Sequence, residues 1–259
     1  MVDFLLSVST VVGVGVSMAL ATVAGLSVYV VSYMLISRHE GGELKGPTES
    51  LFGVVGVLVS LMLSLAFAEV VAEKRTIEKA VEREAVAIAD LFNGLQQFDA
   101  ERTREIRVDL IDYARAIVDD DWTALASDRL GQEASVLRAR ISRSIIELGP
   151  RTEVQKELWS RLLSDLDAVS NYRLVRLDNA LAETPVYVYT VIFGFLVTMA
   201  CFGVYRPHPP LVALASLYTV FVGLVLYLIV ALSDPFQGGF GVSPATFEHL
   251  LGTLKSADG

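Results

Sequence analysis

The sequence predicts an all-α membrane protein, with four transmembrane helices and a helical cytoplasmic domain inserted between spans two and three. Three observations carry that prediction. Hydrophobic residues make up 53% of the 259 positions and the mean hydropathy is +0.51, beyond the usual share in soluble domains. No charge falls between Phe4 and Ser37, Ser50 and Ala68, Thr184 and Tyr205, or Pro207 and Ser233. Each stretch suits a membrane helix of about 20 residues. Between the second and third, residues 73–184 hold 17 of the 21 Lys/Arg and 22 of the 30 Asp/Glu. A soluble globular enzyme is excluded, and so is a disordered chain, which lacks this much apolar material.

Domain 1–72 holds spans one (4–36) and two (50–72). The connection His39–Pro47 carries glycines and a proline that break a helix. Met1-Val2-Asp3 lacks a basic n-region and the apolar run exceeds a signal h-region, so span one is expected to remain in the mature protein. Gly13, Ser17, Ala21 and Gly25 form a small-residue series on span one. On span two Gly53, Gly56, Ser60 and Ser64 share a face, at about 100° per residue. Small faces let helices approach closely in lipid, and the two series are expected to face each other.

Leu58, Met62 and Leu65 lie opposite the small face of span two, and that side continues to Glu69 with Glu73 close by. Two readings stay open. In one, the apolar residues touch lipid and the glutamates reach cytoplasmic water. In the other, several copies of this face surround a pore, with an apolar neck that gates by dewetting and an acidic mouth.

The domain 73–184 reads as helical throughout, and its first helix follows span two without a break. Val81, Ala85, Ile88, Phe92 and Leu95 keep the spacing of a packing seam. Ile106, Leu110, Tyr113 and Ile117 repeat it, as do Leu137, Ile141, Ile145 and Leu148 before Gly149-Pro150. A fourth helix runs from about Thr152 to Leu181, with Leu158, Leu162, Leu166 and Val169 inward. Asp119-Asp120-Asp121 lacks the alternation and glycine of a calcium loop. It reads as a helix end, with Asp121 capping the next helix.

Domain 185–233 pairs spans three (186–205) and four (210–233) across Arg206-Pro-His-Pro-Pro210. Tyr187, Tyr189 and Tyr227 suit an interfacial belt. The tail, 234–259, leaves through Asp234–Gly241. Ser243 with Pro244 then starts a short helix whose Phe247, Leu250, Leu251 and Leu254 share a face. That face is expected on the central domain or on the membrane surface.

Lys74, Arg75, Lys79, Arg83, Arg173 and Arg176 flank the spans on the side of the central domain, against Arg38, Lys45 and Arg206 opposite. The balance places both termini and the central domain in the cytoplasm, with the spans in the cell inner (plasma) membrane. Cys201 is the single cysteine and lies inside span three, where it reads as a small apolar residue. His39, His208 and His249 have no second ligand at helical spacing. No cofactor, metal or catalytic residue is expected, and no basic tract points to nucleic acid.

Three segments resemble a bacterial membrane family known as bestrophin-like. Glu84-Ala-Val-Ala-Ile-Ala89 is similar to its E-A-x-A-I-x motif below span two. Leu110–Val118, followed by Asp121-Trp122, resembles its L-x-x-Y-x-x-x-V segment ending in an acidic–tryptophan pair. Ala231–Gly238 with Val242-Ser-Pro244 resembles L-D-x-P-F-x-G followed by V-S-P, with the aspartate here shifted next to the proline. The resemblance implies kinship with bestrophins, pentameric ion channels whose second membrane helix lines an apolar neck. It adds weight to a pore on Leu58, Met62, Leu65, Glu69 and Glu73 and to a homo-oligomer, with a pentamer favoured by the resemblance alone. No segment matches the calcium-binding residues of animal bestrophins. Those proteins conduct anions, whereas an acidic mouth favours cations.

Two functions therefore stand: an oligomeric channel whose partners are the lipid bilayer and inorganic ions, or a non-conducting scaffold or sensor whose cytoplasmic helices bind a partner.

Overall fold

The computed structural model describes residues 10–36, 45–127, 129–180, 186–236 and 239–258. The first residues of span one, the stretch with Arg38 and His39, Pro185 and Gln237-Gly238 lie outside them. Among the described residues the chain is helical and has no strand. In order come α1 (Thr10–Ile36), α2 (Lys45–Asp99), α3 (Arg104–Ala116), a π-helical turn (Ile117–Asp121), α4 (Trp122–Leu125) and α5 (Glu133–Leu148). They are followed by α6 (Glu153–Ala180), α7 (Val186–Phe202), α8 (Pro209–Ser233) and α9 (Ala245–Asp258).

Helix α2 passes from span two into the polar region without interruption for 55 residues. Pro47 does not break it but sits in its first turn, where a missing N–H costs nothing because that donor has no helical partner. Among the described residues three helices are long and apolar enough to cross a membrane: Thr10–Ile36, the Ser50–Asp99 stretch and Pro209–Ser233. The third expected span ends earlier than the hydropathy suggests, because the chain turns after Phe202. Its helix has 17 residues, at the short end of the range of about 17–25 that spans a bilayer.

The chain divides into two compact units. The first takes the described residues of 1–72 and 183–240. Its core is Tyr29, Phe195, Met199, Ala215 and Val222 from α1, α7 and α8. The small-residue series of α1 faces α7 and α8, not the small face of α2. Ser17 Oγ donates to the Gly223 carbonyl at 2.9 Å and Ser32 Oγ to that of Ala200 at 2.7 Å. A Cβ on Gly25 would stand 2.6 Å from Thr219 Cγ2 and 2.9 Å from Phe195 Cζ, and Gly13 is also buried. Small residues permit a close approach without choosing the partner, and the matching notches lie on α8. Gly223 is one. A Cβ there would meet Ala21 Cβ at 2.8 Å and Met18 Cα and the Ser17 carbonyl at 3.0 Å. Gly223→Val is accordingly expected to cost about 1–3 kcal/mol, read as a lower melting temperature in detergent.

Tyr227 is not interfacial. It is 4% exposed and packs with Ala231, Val14 and Phe240, whereas Tyr189 is 64% exposed. The side chain of Tyr187 lies outside the described residues. Asp234 Oδ1 accepts the Phe236 N–H at 3.2 Å, an Asx turn of the kind aspartate before proline favours.

The second unit takes the described residues of 73–182 and 241–259. Every member of the seams Val81–Leu95 and Ile106–Ile117 quoted above is buried. Helix α5 ends at Gly149, whose φ of +52° is a conformation that glycine adopts without penalty. Ser243 Oγ accepts the Ala245 N–H at 3.2 Å at the start of α9. Phe247, Leu250 and Leu254 are buried, with the Phe247 ring 5.8 Å from that of Trp122. The tail helix thus packs on the helical unit, and Leu251 is half-buried.

Candidate functional site

The membrane part of α2 has one packed face. Val59, Ala66 and Val70 are buried. Ala66 and Val70 join Val188 and Ile229, with Leu63 against them. Gly194 leaves room for Val59, since a Cβ there would come within 2.5 Å of Val59 Cγ2. At about 100° per residue, the two faces picked out by sequence lie roughly a quarter turn to either side of this one.

Both are open within the protomer. Leu58, Met62 and Leu65 are 52%, 39% and 56% exposed. Glu69 is exposed and Glu73 half-buried. On the other side Gly53, Ser60 and Ser64 are exposed, and added Cβ atoms on Gly53 and Gly56 would meet nothing within 4 Å. Ser60 and Ser64 donate to carbonyls one turn back, those of Gly56 and Ser60, at 2.8 and 2.9 Å. Their hydroxyls are satisfied by their own helix, so the small face can enter an apolar setting without stranding a donor. His208, weighed above as a metal ligand, instead caps α8, its Nδ1 accepting the Leu211 N–H at 3.3 Å. Among the described residues no group of three metal-ligating side chains occurs.

A second constellation lies in the helical unit, and the sequence reading did not single it out. Arg176, fully buried on α6, donates from Nε to Glu84 Oε2 at 2.7 Å and from Nη2 to Asp121 Oδ2 at 3.0 Å. Arg173, one turn earlier, reaches both Asp121 oxygens at 2.5 and 3.3 Å and Ser135 Oγ at 3.0 Å. Tyr113 donates its hydroxyl to Glu84 Oε1 at 2.9 Å. Two guanidinium groups thus balance two carboxylates in a buried core.

Arg176 Nη1 is buried with no hydrogen-bond partner among the described residues. The guanidinium carbon lies 5.6 Å from the Trp122 ring centroid and 5.8 Å from that of Phe247, so aromatic faces supply attraction where an oxygen is missing. Trp122 Nε1 in turn donates to the Val242 carbonyl at 3.1 Å.

Burial pushes the Tyr113 phenol well above its ordinary value, and the Glu84 carboxylate adds to the shift. It therefore stays protonated and keeps donating. Burial alone would lower Arg176. Glu84, through its charge and hydrogen bond, and then Asp121 more than reverse that, and the net shift is upward.

Asp121 is not a helix cap. Its backbone is helical, with φ −59° and ψ −47°, and its side chain caps nothing. The chain continues through the π-helical turn, which inserts one residue into the α register. That added residue turns Asp121 and Trp122 inward, where the two arginines require a buried carboxylate. The motif residues Glu84, Tyr113, Asp121, Trp122 and Val242, far apart in sequence, meet at this cluster.

A family model described as "Bestrophin-like domain" matches residues 18–247. The chain belongs to the bestrophin-like family. Among solved structures, a bacterial bestrophin homologue from Klebsiella pneumoniae carrying a single substitution aligns with TM-score 0.69 and 12% identity, over 95% of this chain and 99% of that one. A second structure of the Klebsiella homologue gives TM-score 0.62 and 13% identity, over 93% and 97%. At that identity the likeness is one of fold, and the bestrophin fold spans nearly the whole of both chains. No curated protein matches. The chain is thus a bestrophin-like membrane protein with the bestrophin fold.

Proposed function

We propose that this bestrophin-like protein is an oligomeric ion channel whose pore is lined by α2. Leu58, Met62 and Leu65 form an apolar neck, and Glu69 with Glu73 an acidic cytoplasmic mouth. Known bestrophin homologues are ion channels and not enzymes, and family membership supports the same class here. The observation that carries the pore assignment is the division of α2 into faces. The side packed on α7 and α8 is used up within the protomer, while Leu58, Met62, Leu65 and Glu69 stay open.

One protomer encloses no pore, so the reading calls for a symmetric ring, a pentamer by family kinship. Neighbouring copies would meet along Gly53, Gly56, Ser60 and Ser64, where the backbone can be approached closely. All four apolar helices cross the inner membrane in this reading, with 73–184, the tail and both termini in the cytoplasm. Lys74, Arg75, Lys79 and Arg83 support that orientation. Arg173 and Arg176 add to the count in the nascent chain, though the fold later buries both. An acidic mouth concentrates cations. Glu69→Gln is therefore expected to lower K⁺ flux relative to Cl⁻ flux in liposomes, and an unchanged ratio would remove Glu69 from the pathway.

A second reading has one observation in its favour. Two of the three segments that carry the family resemblance, and Val242 of the third, lie in the helical unit and not on the neck, as suits a scaffold or sensor whose cytoplasmic helices bind a partner. It requires silence in the same flux assay and a cytoplasmic protein captured by crosslinking in native membranes.

A further inference from the structure

Within the first unit a cavity of about 340 Å³ opens between the start of α2, the end of α7 and the start of α8. Its walls are Thr48, Phe52, Cys201, Phe202, Tyr205 and Leu211. The volume falls in the range of small-molecule sites, about 300–1,000 Å³, and far exceeds the voids that packed interiors leave. Water is a poor occupant. It needs two to four polar partners, and among the described residues these walls offer the side-chain polar groups of Thr48, Cys201 and Tyr205 alone. The occupant is therefore apolar.

The cavity also lies where three apolar helices begin or end, which in the membrane-spanning reading is the level where acyl chains meet headgroups. Tyr205, an amphipathic ring, suits that level. Arg206 follows it immediately in the chain and is exposed, a cation one residue from the lining.

We infer that this cavity holds an acyl chain of a phospholipid whose anionic headgroup meets Arg206. The inference rests on the membrane-spanning reading of the first unit and not on conduction. A silent channel therefore leaves it standing, and an empty cavity leaves the channel standing. Cys201 makes the test direct, because it is the only thiol in the chain and lies in the wall.

The full chain would be reconstituted in dioleoyl phosphatidylglycerol or dioleoyl phosphatidylcholine vesicles. Two readouts follow: alkylation of Cys201 by N-ethylmaleimide, and phospholipid retained per protomer after mild detergent release, counted by native mass spectrometry. The expected result is at least tenfold slower alkylation in phosphatidylglycerol than in lipid-stripped detergent, with that lipid retained. Leu211→Trp, which fills the cavity, should abolish retention. Thr48→Phe serves the same purpose if the first variant fails to fold. Arg206→Gln should keep the acyl chain but bind the two lipids equally.

Equal alkylation with and without lipid, or retention unaffected by both filling variants, would overturn the assignment. So would protection that persists in lipid-stripped detergent, because the cavity would then be covered by protein, either this chain or a second copy.

Discussion

Replacing Arg176 with methionine is expected to destabilise the helical unit by about 3–5 kcal/mol, the usual cost of removing one partner from a buried ion network. Among the described residues the variant leaves Glu84 with only the Tyr113 hydroxyl and leaves Asp121 to Arg173 alone, both carboxylates being fully buried. Thermal unfolding of the purified protein in detergent reads the loss. Pairing the change with Glu84→Gln should recover part of it, because the stranded charge disappears, whereas Glu84→Gln alone should itself destabilise. A single variant that melts with the parent protein would show that the network contributes nothing. Replacing a whole buried network by apolar residues is often neutral. What this one adds is register: it fixes α2, α3, the π-helical turn and α6 at one point, with Phe247 of the tail over the guanidinium.

Replacing Leu58 with serine is the second large effect, and it concerns conduction. A ring of leucines excludes water from a neck, and burying one leucine side chain away from water is worth about 1.5–3 kcal/mol. Removing as little as about 1.4 kcal/mol of barrier raises a rate about tenfold. Leu58→Ser should thus raise basal ion flux about tenfold or more, with little change in melting temperature, because Leu58 is 52% exposed in the protomer and lies off the packed face of α2. Unchanged flux in a folded variant would move the neck off this face.

Hydropathy made the helices and their seams legible, but not the partners of the membrane faces. Leu58 beside lipid, beside a pore or beside a helix reads the same, because lipid tails are as apolar as leucine. For that reason Gly13, Ser17, Ala21 and Gly25 were legible as a packing series while their partners, α7 and α8, were not.

The ionic cluster was hidden by the opposite assumption, that charges face water. Yet its spacing is present in the sequence. Leu162, Leu166 and Val169 continue without a break of rhythm to Arg173 and Arg176, and Glu84 falls inside the Val81–Ile88 turn of another seam. Basic residues that prolong an apolar seam, with acidic residues at matching places on other seams, are the signal that finds such a core. Asp121 was harder to place, because a π-helical turn shifts the register in a way no hydrophobic period announces.

The most direct test of the central claim is ion flux through the purified protein in liposomes, with K⁺, Na⁺ and Cl⁻ gradients applied separately. A channel with an acidic mouth predicts flux that favours the cations and falls on Glu69→Gln. Silence for all three ions across a pH series would contradict it and leave the helical unit, with its buried arginines, as the seat of function.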